Sequence, residues 1–146
     1  MQNKIPPPLI LLFCIGMTWL TSAGSSVGGA VKSWSAAYLI LGLGIAGGAI
    51  LQFARARTTV NPLKPQAAST LVQSGIFAYT RNPMYLGMAL VLFSFVLLRG
   101  ETAGLLWLIF FIAYIQVFQI IPEERAISAK FGKDFEDYRK RVRAWL

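Results

Sequence analysis

The stretch Thr80-Arg81-Asn82-Pro83-Met84-Tyr85-Leu86-Gly87 lies between a polar loop punctuated by prolines and a long apolar run. Proline is favoured in the first turn of a helix, because the N–H that it lacks would have no intrahelical partner there. Pro83 is therefore predicted to begin a helix, with Arg81 and Asn82 beside the first free backbone N–H groups. One short segment thus gathers a cation, an amide and a phenol at the edge of an apolar helix. This combination suits a small charged ligand held at a membrane surface.

The composition indicates a single-domain membrane protein. Its 146 residues are 55% apolar and 14% charged, with a mean hydropathy of +0.57, whereas soluble domains carry about a quarter charged residues. The net charge is +8, and the basic residues flank apolar runs, so they indicate membrane topology and not nucleic-acid binding. With no histidine and one cysteine, Cys14, no metal site is expected.

The apolar runs predict an all-α integral membrane protein with about four transmembrane helices. The predicted spans are Leu9–Leu20 (extendable to Ala23), Trp34–Phe53, Pro83–Leu98 and Ala103–Ile121. The turn Arg99-Gly100-Glu101 would make the last two an antiparallel hairpin. The first run is short for a bilayer and also resembles a cleaved signal peptide, but the prolines before it favour a retained helix.

The remaining segments are predicted to be loops and surface helices. Thr21–Ser33 is rich in glycine and serine and is predicted to be a loop. The polar segment Arg55–Arg81 is predicted to carry a short surface helix at Ala67–Gln73. Apolar residues then recur at helical spacing near the C-terminus, which predicts an amphipathic helix lying along the membrane interface with its apolar face inward. These residues are Ile127, Phe131, Phe135, Tyr138, Val142 and Trp145.

The second apolar run contains Gly42-x-Gly44-x-x-Gly47, which matches the dinucleotide-binding fingerprint in letters only. That fingerprint requires a preceding strand and a βαβ unit, whereas here it lies inside a helix candidate. Gly44 and Gly48 are instead predicted to form a small-residue face for close helix packing.

The distribution of Lys and Arg predicts the orientation in the membrane. The Arg55–Arg81 loop carries four of these residues and the tail from Arg125 carries seven, whereas Thr21–Ser33 and the hairpin turn carry one each. By the positive-inside rule, both termini and the Arg55–Arg81 loop are predicted to be cytoplasmic. The expected location is the cell inner membrane.

Arg81–Gly87 resembles the Arg-His-Pro-x-Tyr-x-Gly signature of the isoprenylcysteine carboxyl methyltransferase and phospholipid methyltransferase superfamily of membrane proteins. Thr70–Phe77 resembles the segment just upstream of that signature. The family's C-terminal signature is matched by Pro122–Arg125, Phe131-Gly132, Tyr138 and Val142-Arg143. The resemblance covers residues 58–146. It implies one domain, 1–146, in which 1–57 supplies two N-terminal spans and 58–146 forms the cofactor-binding core.

This resemblance implies a methyltransferase that uses S-adenosylmethionine and acts on a lipophilic acceptor at the cytoplasmic membrane face. Membrane lipid and a small lipophilic acceptor would be its partners, without nucleic acid or metal. The implied catalytic residues are Arg81, Tyr85 and Glu123. The implied cofactor-binding residues are Thr70, Leu71, Val72, Phe77, Asn82, Pro83, Met84, Tyr85, Glu123 and Glu124. Gln119 stands where isoprenylcysteine enzymes place an arginine linked to substrate, and is therefore a candidate substrate-binding residue.

Several of these side chains also have plainer interpretations. Arg81 can pair with the cofactor carboxylate or with lipid phosphate. Tyr85 can contact the cofactor or act as an interfacial aromatic. Glu124 can serve the site or simply favour the first turn of a helix through its dipole. The apolar residues Leu71, Val72 and Phe77 can form the walls of a site or anchor the loop to lipid.

Asn82 departs from the family pattern, which has histidine at that position. Asparagine cannot act as a general base near neutral pH, and the chain has no histidine. An acceptor that is already nucleophilic, such as a carboxylate, thiol or amine, therefore fits better than an alcohol. The alternative function is a non-enzymatic membrane protein that retains the fold and binds a lipid or a nucleotide.

Overall fold

Helices form all the regular structure in the residues that the computed structural model describes, which are 5–24, 26–56 and 70–146. No strand occurs within these ranges. The helices are α1 (Pro7–Thr21), α2 (Gly29–Arg55), α3 (Pro83–Arg99), α4 (Ala103–Ile115), α5 (Ile121–Phe131) and α6 (Lys133–Arg141). A 3₁₀ turn (Gly75–Ala78) precedes α3, and a π-helical turn (Gln116–Ile120) joins α4 to α5.

Two helical stretches are long and apolar enough to cross a membrane: α2, and the continuous helix Ala103–Phe131. The other two predicted spans form α1, with 15 residues, and α3, with 17. Both are apolar but shorter than the roughly 20 residues that a bilayer core requires. Two of the four predicted spans therefore meet the length and composition of a crossing helix.

The central packing contact joins α2 to α3 through two glycines. A Cβ atom added to Gly42 would lie 2.6 Å from the Gly87 carbonyl oxygen, and one added to Gly87 would lie 2.5 Å from the Gly42 oxygen. The prediction that Gly44 and Gly48 form the packing face is wrong, because an added Cβ at either position meets no atom within 4 Å. The helix presents a different glycine of the same run to its neighbour.

The N-terminal helix α1 packs against α3 and α4. Ile10 and Cys14 are buried with Tyr85, Leu92 and residues of α4 in one apolar core. Near the end of α1, the Thr18 hydroxyl donates to the Cys14 carbonyl at 2.8 Å. Such a bond satisfies the hydroxyl inside the helix without an external partner.

The turn between α3 and α4 forms as predicted. Gly100 adopts φ +68°, a left-handed conformation that suits glycine at a helix C-terminus. On one side of this turn, Arg99 donates to the Ser22 carbonyl at 2.6 Å, and on the other Glu101 accepts the Gly24 N–H at 3.0 Å. Both contacts tie the end of α1 to the hairpin.

Pro122 lies inside a continuous helical stretch and does not end it. Because proline has no N–H, the normal helical ladder is interrupted at this point. The π turn immediately before it widens the helix, and the Ile121 N–H donates to the Gln116 carbonyl five residues back. The predicted fourth span, Ala103–Ile121, thus continues as helix to Phe131.

The predicted C-terminal amphipathic helix is wrong in two respects. Gly132, with φ +51°, divides the segment into α5 and α6, and Trp145 lies beyond the last helix. The apolar face is also covered by protein. Phe135, Tyr138 and Val142 are buried, and they pack against Leu71 and residues of α5. Intramolecular contacts therefore take the place of the lipid that the periodicity suggested.

Two predictions for the connecting segments also change. The predicted loop Thr21–Ser33 is shorter, because α2 already begins at Gly29. Of the predicted surface helix at Ala67–Gln73, residues 67–69 lie outside the described part, and Thr70–Gln73 are not helical. The 3₁₀ turn follows instead, beginning at Gly75 with a left-handed φ of +59°.

Candidate functional site

The quoted motif occupies the start of α3, as its proline suggested. Pro83 is the first helical residue and Asn82 is the residue before it, with φ −128° and ψ 56°. The Asn82 side chain does not cap its own helix. Its amide instead donates to the Ala144 carbonyl at 2.9 Å. Asn82 therefore joins the start of α3 to the C-terminal tail.

Tyr85 and Glu123 form a part-buried polar contact between α3 and α5. Tyr85 lies in the first turn of α3 and is only 5% exposed. Its hydroxyl donates to Glu123 Oε1 at 2.5 Å. Glu123 lies in the first turn of α5, so this bond connects the motif to the end of the long apolar helix.

The neighbouring carboxylate has a different partner. Arg81 donates to Glu124 Oε1 from Nε at 3.0 Å and from Nη2 at 2.6 Å. Only 9% of the Arg81 side chain and 19% of the Glu124 side chain are exposed. Arg81 is thus committed to Glu124, and among the described residues no salt bridge neutralises Glu123.

The C-terminal tail, defined here as Val142–Leu146, supplies acceptors to the motif. The Arg81 Nη1 group donates to the Val142 carbonyl, and the Arg81 backbone N–H donates to the Arg143 carbonyl at 3.0 Å. Thr80 Oγ1 donates to the Ala144 carbonyl at 3.2 Å. No periodicity or motif in the sequence predicts these bonds, because they are made by backbone atoms of the tail.

A cleft lies between the segment preceding α3, the end of α2 and the two last helices. Its enclosed volume is about 80 Å³. The lining residues are Phe53, Thr70, Leu71, Val72, Phe77, Arg81, Asn82, Glu123, Glu124, Ile127, Phe131, Phe135 and Tyr138. One part of this lining is apolar and largely aromatic, and the other carries the guanidinium, the amide and the two carboxylates.

The cleft brings together most of the candidate residues. Seven of the ten candidate cofactor-binding residues line it, as does Arg81. Pro83, Met84 and Tyr85 are outside the lining, although Tyr85 reaches it through its bond to Glu123. Phe53 was not among the predicted site residues. Four further lining residues were predicted to lie on a lipid-facing helix: Ile127, Phe131, Phe135 and Tyr138. Helical spacing identified these last four as apolar but not what covers them.

Gln119, the candidate substrate-binding residue, does not line the cleft. It is 3% exposed, and its amide donates to the Ile5 carbonyl at 2.9 Å. The structure therefore places Gln119 against the N-terminal segment.

Tyr138 closes the apolar part of the cleft. Its hydroxyl donates to the Phe77 carbonyl at 2.6 Å, which holds the 3₁₀ turn against α6. Burial raises the pKa of Tyr138 to about 12, against the lowering effect of the nearby Arg81 and Arg141 charges. The phenol is therefore a neutral hydrogen-bond donor at physiological pH.

A wider, open groove of about 560 Å³ borders the cleft at Glu124, which lines both. Its other lining residues are Ile121, Arg125, Ser128, Ala129 and Arg139. In the part of the chain that the structure describes, no group of three or more Cys, Asp or Glu side chains is arranged to hold a metal ion.

Apolar helices with a polar cleft at one end of the bundle are features of a membrane-associated protein. Comparison with known families identifies the class. Residues 31–134 match the phospholipid methyltransferase family, and the chain belongs to that family, which is part of the superfamily indicated by the motifs. The family and the two apolar helices together indicate a membrane methyltransferase.

One curated relative matches part of the chain. An uncharacterized protein of Haemophilus influenzae is 40% identical over 63 residues, which are 43% of this chain and 100% of the relative. No solved structure matches the chain. The family membership does not favour the non-enzymatic alternative.

Proposed function

We propose that this protein is an integral-membrane methyltransferase that uses S-adenosylmethionine and methylates a lipophilic acceptor at the cytoplasmic face. The observation that carries the proposal is the composition of the cleft. An apolar, aromatic lining and a half-buried carboxylate, which has no salt bridge to any residue that the structure describes, face the same space. S-adenosylmethionine combines a flat aromatic base with a cationic amino-acid end, so its two ends match the two parts of the lining.

Different residues of the cleft would bind different parts of the cofactor. Glu123 would accept hydrogen bonds from the cationic end of the cofactor, and Tyr85 holds the carboxylate in place for this role. Leu71, Val72 and Phe77 would enclose the base. The cofactor supplies an activated methyl group on a positively charged sulfur, and the protein would hold the acceptor in line with it, which is the main source of acceleration in such transfers.

The contacts of Arg81 and Asn82 support positioning roles. Both side chains bond to the tail, and Arg81 also neutralises Glu124. By fixing Glu124, Arg81 leaves Glu123 as the carboxylate available to a cation. Asn82 holds no proton that can titrate near neutral pH. These contacts favour an acceptor that needs no histidine-like base, such as a carboxylate, a thiol or an amine.

The size of the cleft has a consequence for binding. Pockets for ligands of this size have volumes of about 300–1,000 Å³, and the enclosed cleft measures about 80 Å³. Cofactor binding would therefore require the lining side chains to move apart. The adjoining groove at Glu124 is open, and an acceptor can approach from that side or laterally from the bilayer.

A binding measurement with a charge-neutral variant tests the proposal. S-adenosylhomocysteine should bind the detergent-solubilised parent protein in calorimetry. Glu123→Gln should weaken its affinity by about tenfold or more, because hydrogen bonds to a charged group contribute about 1.5–3 kcal/mol. Glu101→Gln is the matched control, because Glu101 accepts the Gly24 N–H at the opposite end of the bundle.

A transfer assay then tests the reaction. With labelled S-adenosylmethionine and a total membrane lipid extract, the parent should label a lipid-soluble product and Glu123→Gln should label much less. Absence of S-adenosylhomocysteine binding by the parent would contradict the proposed function. Binding that Glu123→Gln leaves unchanged would remove Glu123 from the site.

A further inference from the structure

Phe53, near the end of α2, lines the cleft although it lies outside the segment that resembles the cofactor-binding core. Its ring packs edge-to-face on Phe77, with 4.9 Å between the ring centroids and an interplanar angle of 67°. Phe77 is 4% exposed, whereas Phe53 is half-buried. In this pair the Phe77 ring is therefore buried, and the Phe53 ring still has exposed surface.

Two packing contacts of α2 fix the position of Phe53. Along α2, the close approach of Gly42 and Gly87 fixes the helix against α3. At its end, the Gln52 amide packs on Gly75, which has a left-handed φ of +59°, and occupies the space in which a Cβ atom at that position would lie. The residue next to Gln52 is therefore placed beside the 3₁₀ turn as part of the same packing.

We propose that Phe53 is a binding residue of the cofactor site, and that its ring and that of Phe77 form the surface on which the adenine of S-adenosylmethionine packs. This inference rests on the proposed function and extends the site to the N-terminal half of the chain. Aromatic side chains stabilise bound bases by stacking, largely independently of hydrogen bonds. The rings belong to the same cleft as Glu123, so one molecule with a base and a cationic end can use both.

The alternative occupant of this surface is the hydrocarbon part of the acceptor. The contacts favour the base, because Phe53 faces a space enclosed by Leu71, Val72 and Phe77 and by side chains of α5 and α6. A long hydrocarbon chain needs an opening to lipid, whereas a flat ring needs only an enclosed apolar slot. Affinity measurements and photolabelling distinguish these two possible occupants.

The molecule contains a matched control. Phe93 of α3 packs on Tyr38 of α2 with the same centroid distance, 4.9 Å, and an interplanar angle of 78°. Like Phe53 it is half-buried, but it does not line the cleft. Phe53→Leu and Phe93→Leu therefore each remove one edge-to-face ring pair that involves α2.

Affinities for S-adenosylhomocysteine and for adenosine, which lacks the amino-acid end, are measured by calorimetry in detergent. Phe53→Leu should weaken both by about tenfold, as expected for a lost base-stacking surface. Phe53→Tyr should stay within about twofold of the parent, because the ring is retained. Phe93→Leu should bind like the parent, although its melting temperature without ligand should fall about as much as that of Phe53→Leu.

Photolabelling of the parent protein tests the inference without a variant that could fail to fold. An 8-azidoadenine derivative of S-adenosylhomocysteine should label peptides that contain Phe53 or Phe77. Labelling confined to other peptides, or unchanged affinities in Phe53→Leu, would overturn the inference. A change restricted to the KM of the acceptor would assign the surface to the acceptor instead. A parent that fails to bind S-adenosylhomocysteine would contradict the proposed function as well, so the two failures are distinguishable.

Discussion

Tyr138 shows how one side chain couples the segment before α3 to the last helix. Its ring packs in the apolar cluster with Phe135 and Val142, and its hydroxyl reaches the Phe77 carbonyl. From the sequence, Tyr138 was one of a row of apolar positions at helical spacing. The hydrogen bond gives it a structural role that the spacing alone does not predict.

Tyr138→Phe should lower the free energy of unfolding by about 1 kcal/mol at pH 8, because the buried Phe77 carbonyl loses its donor. The raised pKa adds a pH dependence. A tyrosine in the unfolded chain ionises near pH 10, whereas Tyr138 in the folded chain ionises near 12. Its contribution is therefore fully present below pH 10 and is lost as the pH rises from 10 to 12.

Denaturant unfolding in detergent at pH 8 and at pH 11 checks this prediction. The parent should lose more stability than Tyr138→Phe over this interval, so the gap between the two proteins should narrow at alkaline pH. Tyr79→Phe is the control, because Tyr79 is 77% exposed. A gap that widens with pH would contradict the assignment.

For Asn82 and Arg81, the sequence predicts the position in the helix but not the hydrogen-bond partners of the side chains. The motif placed both at the start of α3, and the structure agrees. Both side chains, however, also donate to backbone carbonyls of the tail, which lie 61 and 62 residues further along the chain. Whether either side chain also contacts a cofactor stays a prediction.

The helices α2 and α3 form their contact through a pair of glycines that the sequence pattern did not single out. Several glycines follow one another in α2, and all of them permit close approach of a neighbouring helix. The choice of Gly42 depends on where Gly87 lies, and that position follows from the start of α3 at Pro83. A local pattern therefore identifies the type of contact but not the residue.

Gly42→Ala should destabilise the protein by about 1–3 kcal/mol, because the added methyl group meets backbone atoms that cannot move aside. Gly44→Ala should be neutral or slightly stabilising, since its Cβ meets no atom within 4 Å and alanine is favoured over glycine in helices. Melting temperatures in detergent compare the two variants. Equal melting temperatures would mean that the close α2–α3 approach does not occur.

The tail is a second element whose role depends on distant contacts. Beyond the bonds to Thr80, Arg81 and Asn82, the Trp145 indole N–H donates to Gln116 Oε1 at 2.8 Å. Gln116 begins the π turn. The tail therefore connects the start of α3 with the widened part of the long apolar helix.

Trp145→Phe should lower the stability by about 1 kcal/mol through loss of this hydrogen bond. If the tail also positions Arg81, S-adenosylhomocysteine binding should weaken in the same variant. Trp34→Phe is the control, because Trp34 is 64% exposed on α2. Thermal unfolding and calorimetry measure the two effects, and a variant with parental values in both would show that the tail bond is dispensable.

The molecule as a whole carries its basic charge unevenly, and this distribution predicts its orientation. Arg81 lines the cleft, and so does α6, whose last turn carries Arg139, Lys140 and Arg141, whereas Thr21–Ser33 carries only Lys32. The apolar surface of α2 is exposed, with Trp34, Ile40 and Leu43 among its large side chains. These features agree with a protein embedded in a membrane with its site at one surface.

Cysteine labelling in whole cells tests the orientation. In a Cys14→Ala background, Ser26→Cys should react with a membrane-impermeant maleimide added outside the cell, and Ser74→Cys should react only after lysis. Both serines are exposed in the structure, so accessibility depends on the side of the membrane. The opposite pattern would place the cleft on the outer face.

The proposed division of the chain at residues 57 and 58 stays a prediction. Phe53, which precedes that boundary, lines the same cleft as the later motifs. If the experiments on Phe53 succeed, the N-terminal spans contribute to binding as well as to anchoring. The cleft would then depend on the α2–α3 contact, and the whole bundle would be needed for activity.

The sequence by itself determined where α3 begins, where the hairpin turn lies and where α4 begins, because proline, the left-handed glycine turn and apolar composition act within a few residues. Its motifs also indicated the family, which the match over residues 31–134 confirms. Only the tertiary structure decided which glycine packs, how Glu123 and Glu124 divide their partners, and that the apolar face of α6 is covered by protein. These outcomes depend on contacts between residues far apart in the chain, and no local pattern specifies which of several similar side chains will meet across them.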